Sequence, residues 1–90
     1  MIGTYPNVWD ALEDSPQRAT NLTLRSSLMI GIAEKIKKSG WTQAEAAKVC
    51  GITQPRMNDL LQGKISKFSL DALVNIATAT GQKVELLLIA

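Results

Sequence analysis

Apolar residues recur at every third or fourth position between residues 24 and 36. Leu24, Leu28, Met29, Ile32, Ala33 and Ile36 fall on one face of a helix. Ser15 followed by Pro16 supplies its start, a serine cap with proline at the first helical position. Lys35, Lys37 and Lys38 crowd the last turns, where they complement the negative end of the helix dipole, and Ser39-Gly40 ends the element. A second, shorter pattern follows in "WTQAEAAKVCG". Thr42 with Glu45 three residues on is a capping box, and Ala44, Ala46, Ala47, Val49 and Cys50 fill the helix with small residues that permit close approach to a neighbour.

Gly51 is placed to close that helix in a left-handed conformation. Thr53 then caps a third helix over about residues 54–62, in which Pro55 costs little because a first-turn N–H has no intrahelical partner. At about 100° per residue, Met57, Leu60 and Leu61 form its inner face, and Gly63 is its stop. Ser69 opens a further helix in which Leu70, Leu73, Val74 and Ala77 share a face, with Ile76 beside it, and Gly81 ends it. In "QKVELLLIA" the period changes to two: Val84, Leu86 and Leu88 alternate with Glu85, Leu87 and Ile89. This reads as a short C-terminal β-strand without a partner in the chain, hence a candidate for pairing between chains. Near the other end, "VWDALED" reads as one or two turns of helix. The expected fold is therefore all-α, a compact bundle of about five helices with one short terminal strand.

Ninety residues make one domain near the lower limit for a self-sufficient core. With aromatics at 4%, that core must come from aliphatic residues, which suits helices. No apolar run approaches the ~20 residues of a membrane span, and the first residues lack the basic start and apolar stretch of a secretory signal. A cytoplasmic protein is expected, in keeping with one cysteine, Cys50, read as core. The chain has no histidine, which removes Cys–His and Ser–His nucleophile pairs and the usual zinc sites. No Gly-rich phosphate loop is present. No enzyme activity, metal or cofactor is expected, and the acidic cluster Asp10, Glu13 and Asp14 reads as a solvated face.

Charge is distributed unevenly. Residues 1–20 hold three acidic residues and one basic, residues 21–67 eight basic and three acidic, and residues 68–90 two acidic and one basic. A basic middle attracts nucleic-acid phosphates, although an ordinary solvated face has the same composition. The two short helices at about 43–50 and 54–62, joined by a tight Gly-containing turn, form a helix-turn-helix pattern. On the second of them Pro55, Asn58, Asp59 and Gln62 point away from the inner face, and Gln54 and Arg56 flank the exposed front. Gln, Asn and Arg are the side chains that bond base edges in a major groove, and a recognition helix carries them on its leading turns. An amphipathic helix with a polar outer face is the plainer reading. The two caps, the turn glycine and the small-residue first helix weigh against it.

"TQAEAAKVCGITQPRMNDLLQGK", residues 42–64, resembles the XRE-type helix-turn-helix of phage repressor and Cro proteins, in the pattern T-Q-x-E-x-A, a turn glycine, T-Q, then L-x-x-G-K. Flanking helices extend the resemblance to about residues 24–81. Within that family "GKISKFSLDALVNIATATGQKVEL" is most similar to small HigA-like antitoxins and their transcription-factor relatives. The resemblance implies that Gln54, Pro55, Arg56, Asn58 and Asp59 face bases and that Gln43 and Lys64 lie along the phosphates. Thr53 is placed with them as a phosphate contact, and so is Lys67, which can reach a phosphate or the minor groove or be an ordinary solvated lysine. Pro55 departs from the frequent polar residue there; it can pack only on a thymine methyl, so readout rests on its neighbours.

The expected organisation is an N-terminal arm over residues 1–14, a helix-turn-helix domain over 15–81 and a C-terminal segment over 82–90. Val84, Leu86 and Leu88 of that last segment are expected to form the dimer contact. The expected function is a repressor that binds a palindromic operator in double-stranded DNA as a homodimer. The alternatives are an antitoxin that neutralises a ribonuclease-type toxin and an interaction module that does not bind DNA. The stripe Tyr5, Val8, Trp9 and Leu12 reads either as folding back on the domain's own core or as the toxin-docking surface.

Overall fold

Four side-chain oxygens start the four helices of the computed structural model, which describes residues 15–90. Helix α1 spans Pro16–Ser39, α2 Gln43–Cys50, α3 Gln54–Leu61 and α4 Leu70–Ala79, with a single 3-10 turn at Ile65–Lys67 between the last two. Ser15, Thr42, Thr53 and Ser69 each stand in extended conformation one residue ahead, and each accepts a backbone N–H three residues on. The capping box at α2 is closed in both directions. The Glu45 N–H donates to the Thr42 hydroxyl at 3.1 Å, and the Thr42 N–H donates to the Glu45 carboxylate at 2.8 Å. Each such cap satisfies a donor that the helix itself cannot, which is worth about 1 kcal/mol. Pro16 and Pro55 sit in first turns, where no hydrogen bond is lost.

Short helices are stable here because each buries one face. Met29, Ile32 and Ile36 of α1, Ala46, Ala47 and Cys50 of α2, Met57 and Leu60 of α3, Phe68, and Leu73, Ile76 and Ala77 of α4 form one continuous core. Half-buried Leu28, Trp41, Ile52 and Ile65 pack around it. α1 lies mainly on α4, and α2 mainly on α3. The alanine face of α2 sets the second contact: Ala46 and Ala47 are fully buried and keep the two helices close. Between them Gly51, at φ 70°, takes the left-handed conformation a side chain would strain, and the next N–H, of Ile52, returns to the Ala47 carbonyl at 3.0 Å.

The expected bundle needs correction in its helix count, at its C-terminal end and on a face of each of the four helices. The described residues form four α-helices, not five; the helix expected within residues 8–14 lies outside the described residues. The expected C-terminal strand is absent among them as well. Residues 82–90 carry no regular structure, and Leu86, Leu87, Leu88 and Ile89 are 69–87% exposed. Period-two alternation supplies a strand's faces but not its ladder; a strand forms only where a second one takes its N–H and C=O groups. Leu61, expected inside, is exposed, as is Val49, while Leu22, outside the expected stripe, is buried. In α4 the buried face is Leu73, Ile76 and Ala77; Leu70 and Val74 stand beside it, half-buried, on the wall of a groove towards α1.

Candidate nucleic-acid interface

Met57 and Leu60 are essentially fully buried, so α3 is held by its inner face and its outer face is fixed in direction. Gln54 and Asn58 lie four residues apart on that outer face and are exposed, with Gln62 one turn further on. The Gln62 side-chain amide donates to the Asn58 Oδ1 at 3.5 Å. Pro55 is exposed beside Gln54. The Thr53 hydroxyl is occupied as the cap of α3, accepting the Arg56 N–H at 3.3 Å, and the residue is exposed at the helix's leading end. Gln43 is exposed in the first turn of α2.

Arg56 and Asp59 occupy the other flank and turn toward the segment after the helix. The Arg56 guanidinium stacks over the Phe68 ring at 4.3 Å from its centroid and donates to the Lys67 carbonyl at 3.2 Å. The stack favours the cation through the ring's quadrupole and fixes the plane of the guanidinium. Asp59 bridges two lysines: Lys64 Nζ lies 3.3 Å from one carboxylate oxygen and Lys67 Nζ 3.5 Å from the other. Partial burial raises the Asp59 carboxyl, but the hydrogen bond and charge of Lys64 and the charge of Lys67 outweigh it and hold the group below its ordinary value. The two lysine side chains remain about half exposed.

Two residues of this region carried no functional signal in the sequence. Phe68, the chain's one phenylalanine, is buried and is the platform beneath Arg56. Arg25 of α1 reaches across about 40 positions of sequence. Its Nη1 donates to the carbonyls of Ile65 at 3.1 Å and Phe68 at 3.3 Å, while its Nε donates to Asn21 at 2.6 Å. No local pattern marks such a contact. Together Arg25 and Arg56 satisfy three carbonyls of the turn that carries Lys64 and Lys67, and so position both lysines at one edge of α3.

The expected dimer residues lie apart from this edge, in the segment after α4. Val84 and Leu86 line a groove of about 430 Å³ with Leu24 and Leu28 of α1 and Leu70 and Val74 of α4. Leu88 stands clear of the body at 87% exposure. The stripe Tyr5, Val8, Trp9 and Leu12 and the acidic residues Asp10, Glu13 and Asp14 lie outside the described residues.

Among the described residues no helix is long and apolar enough to cross a membrane. No curated protein matches the chain in a sequence comparison. A family model described as a helix-turn-helix domain matches residues 11–88, nearly the whole chain and all of the geometry above. The capped pair α2–α3, its left-handed glycine turn and its outward polar helix face are the parts such a domain uses on DNA. The chain belongs to the helix-turn-helix domain family of DNA-binding proteins.

Proposed function

We propose that this chain is a sequence-specific transcriptional repressor of the XRE type that acts in the cytoplasm and binds a palindromic operator as a homodimer. The observation that carries this reading is the outer face of α3. Gln54 and Asn58 are exposed on a helix whose opposite face is locked into the core, with Lys64 and Lys67 fixed at its edge. Gln and Asn pair with the N6/N7 edge of adenine. Arg56 spends one N–H on the Lys67 carbonyl and keeps its remaining donors for a guanine edge. Thr53 and Gln43, at the leading ends of α3 and α2, join the lysines along the phosphates. One eight-residue helix reads only a few base pairs, so useful specificity asks for two copies. The apolar residues Leu86 and Leu88, left uncovered, supply a contact between copies.

Selection of bound duplexes from a random pool, followed by footprinting, tests this directly. The expected result is an enriched sequence with two-fold symmetry and half-sites about 34–36 Å apart. A pool that shows no enrichment after repeated rounds would overturn the reading. Sedimentation of the Leu86→Ser, Leu88→Ser double variant tests the assembly. It should run as a monomer at concentrations where the parent is a dimer.

A further inference from the structure

Asp59 is out of place on a surface meant for DNA. A carboxylate on the outer flank of α3 is repelled by phosphate, and its own helix already offers Gln54 and Asn58 for base contact. Its two oxygens are instead divided between two lysines, one each, at 3.3 and 3.5 Å. The backbone follows the same arrangement, with the Lys64 N–H donating to the Asp59 carbonyl at 3.0 Å. Arg25 and Arg56 fix the turn from below, so the lysine stems begin from set positions and meet at the same carboxylate.

We propose that Asp59 is a specificity-determining residue that holds Lys64 and Lys67 in ion pairs and thereby suppresses sequence-independent binding to the phosphate backbone. The inference rests on the DNA reading of α3. Free lysines on long stems bind any duplex, because phosphate contacts carry no sequence information. With Asp59 between them the edge presents one net positive charge instead of two. A nonspecific complex, held by phosphate contacts alone, needs both lysines free and must break the ion pairs or bring the carboxylate up to the phosphates. The specific complex is positioned by Gln54 and Asn58, so it keeps most of the pairing and meets the phosphates with the lysines' remaining N–H groups, at a smaller cost. Asp59 thus lowers both affinities but lowers the nonspecific one more, which raises their ratio.

The test uses the full chain, a scrambled duplex of about 20 base pairs, and a duplex enriched by selection, each titrated over a range of salt. Asp59→Asn preserves shape and removes the charge. It should bind scrambled duplex several-fold tighter at ~0.1 M salt, with a salt slope steeper by about one counterion. Binding to the enriched duplex should tighten less, so the specificity ratio falls. Asp59→Ala, in a residue of higher helix propensity, should move the same way. In a Lys64→Gln, Lys67→Gln background the effect of Asp59→Asn should vanish. Persistence of the effect there would show general charge repulsion and overturn the clamp. Unchanged or weaker binding to scrambled duplex by Asp59→Asn, with the parent still binding DNA, would overturn the inference alone. A parent chain that binds no duplex would overturn the DNA reading itself.

Discussion

Two stretches of this chain lie outside its α-helices and end up in opposite conditions. Residues 64–68, "KISKF", hold two lysines and a serine, yet they are tied down from three sides. Arg25 takes the carbonyls of Ile65 and Phe68, Arg56 takes that of Lys67, and the Phe68 side chain is buried. Residues 82–90 are far more apolar, yet they are tied to the body chiefly at their first residue. There the Gln82 amide donates to the Gly31 carbonyl at 3.2 Å and accepts from the Thr80 hydroxyl at 2.9 Å. Beyond it the Lys83–Glu85 ion pair is fully on the surface, and Leu86 to Ile89 stay uncovered. Apolar content therefore does not decide whether a segment is fixed. Satisfied carbonyls and one well-buried anchor do, and a leucine run with nothing to pack on orders nothing.

The strongest way to break the contrast is to remove the anchor. Phe68→Ala should cost about 3–5 kcal/mol of stability in urea unfolding, because it empties a fully buried ring site. A loss below about 1 kcal/mol would mean that the arginine contacts alone hold the turn. Next in size, Gln54→Ala and Asn58→Ala should each weaken binding to the enriched duplex by about 1–3 kcal/mol and leave scrambled duplex unaffected. Equal loss on both duplexes would remove these residues from base readout.

Thr42→Ala opens the capping box and should cost about 1 kcal/mol in thermal or urea unfolding. The same box gives a pH signature. The Thr42 backbone N–H, then its hydroxyl, hold the Glu45 carboxyl below its ordinary value of 4.5. A depressed folded value means the contribution is complete above the unfolded value and fades as pH falls through the folded one. The difference in stability between parent and Glu45→Ala should therefore shrink in acid, below about pH 4.5. The smallest effect belongs to the uncovered tail. Leu88→Ser should change the unfolding free energy of dilute, monomeric protein by no more than about 0.5 kcal/mol, since an exposed side chain makes no core contact.

Local chemistry wrote the helices plainly. Ser15, Thr42, Thr53 and Ser69 all cap as their positions suggest, and Pro16, Pro55 and Gly51 stand where their backbone limits allow. These signals act within four residues, so a single sequence contains them in full. The pairing of α2 with α3 followed for the same reason, being set by a short turn and small side chains. Which residues of an apolar stripe reach the core did not follow. Leu22 is inside while Leu61 and Val49 are outside, because burial depends on where neighbouring helices lie and not on period alone.

The sequence alone thus determined four of the expected helices with their N-terminal caps, the helix-turn-helix and the polar outer face of α3. The tertiary structure alone decided that Arg56 turns to Phe68, that Asp59 joins Lys64 to Lys67, and that Arg25 grips the turn from about 40 positions away. It also decided that "VELLLIA" forms no strand among the described residues. Caps and turns are closed by neighbours in the chain, whereas a stack, an ion-pair bridge or a β-ladder needs a partner that only the folded arrangement brings, or fails to bring, within reach.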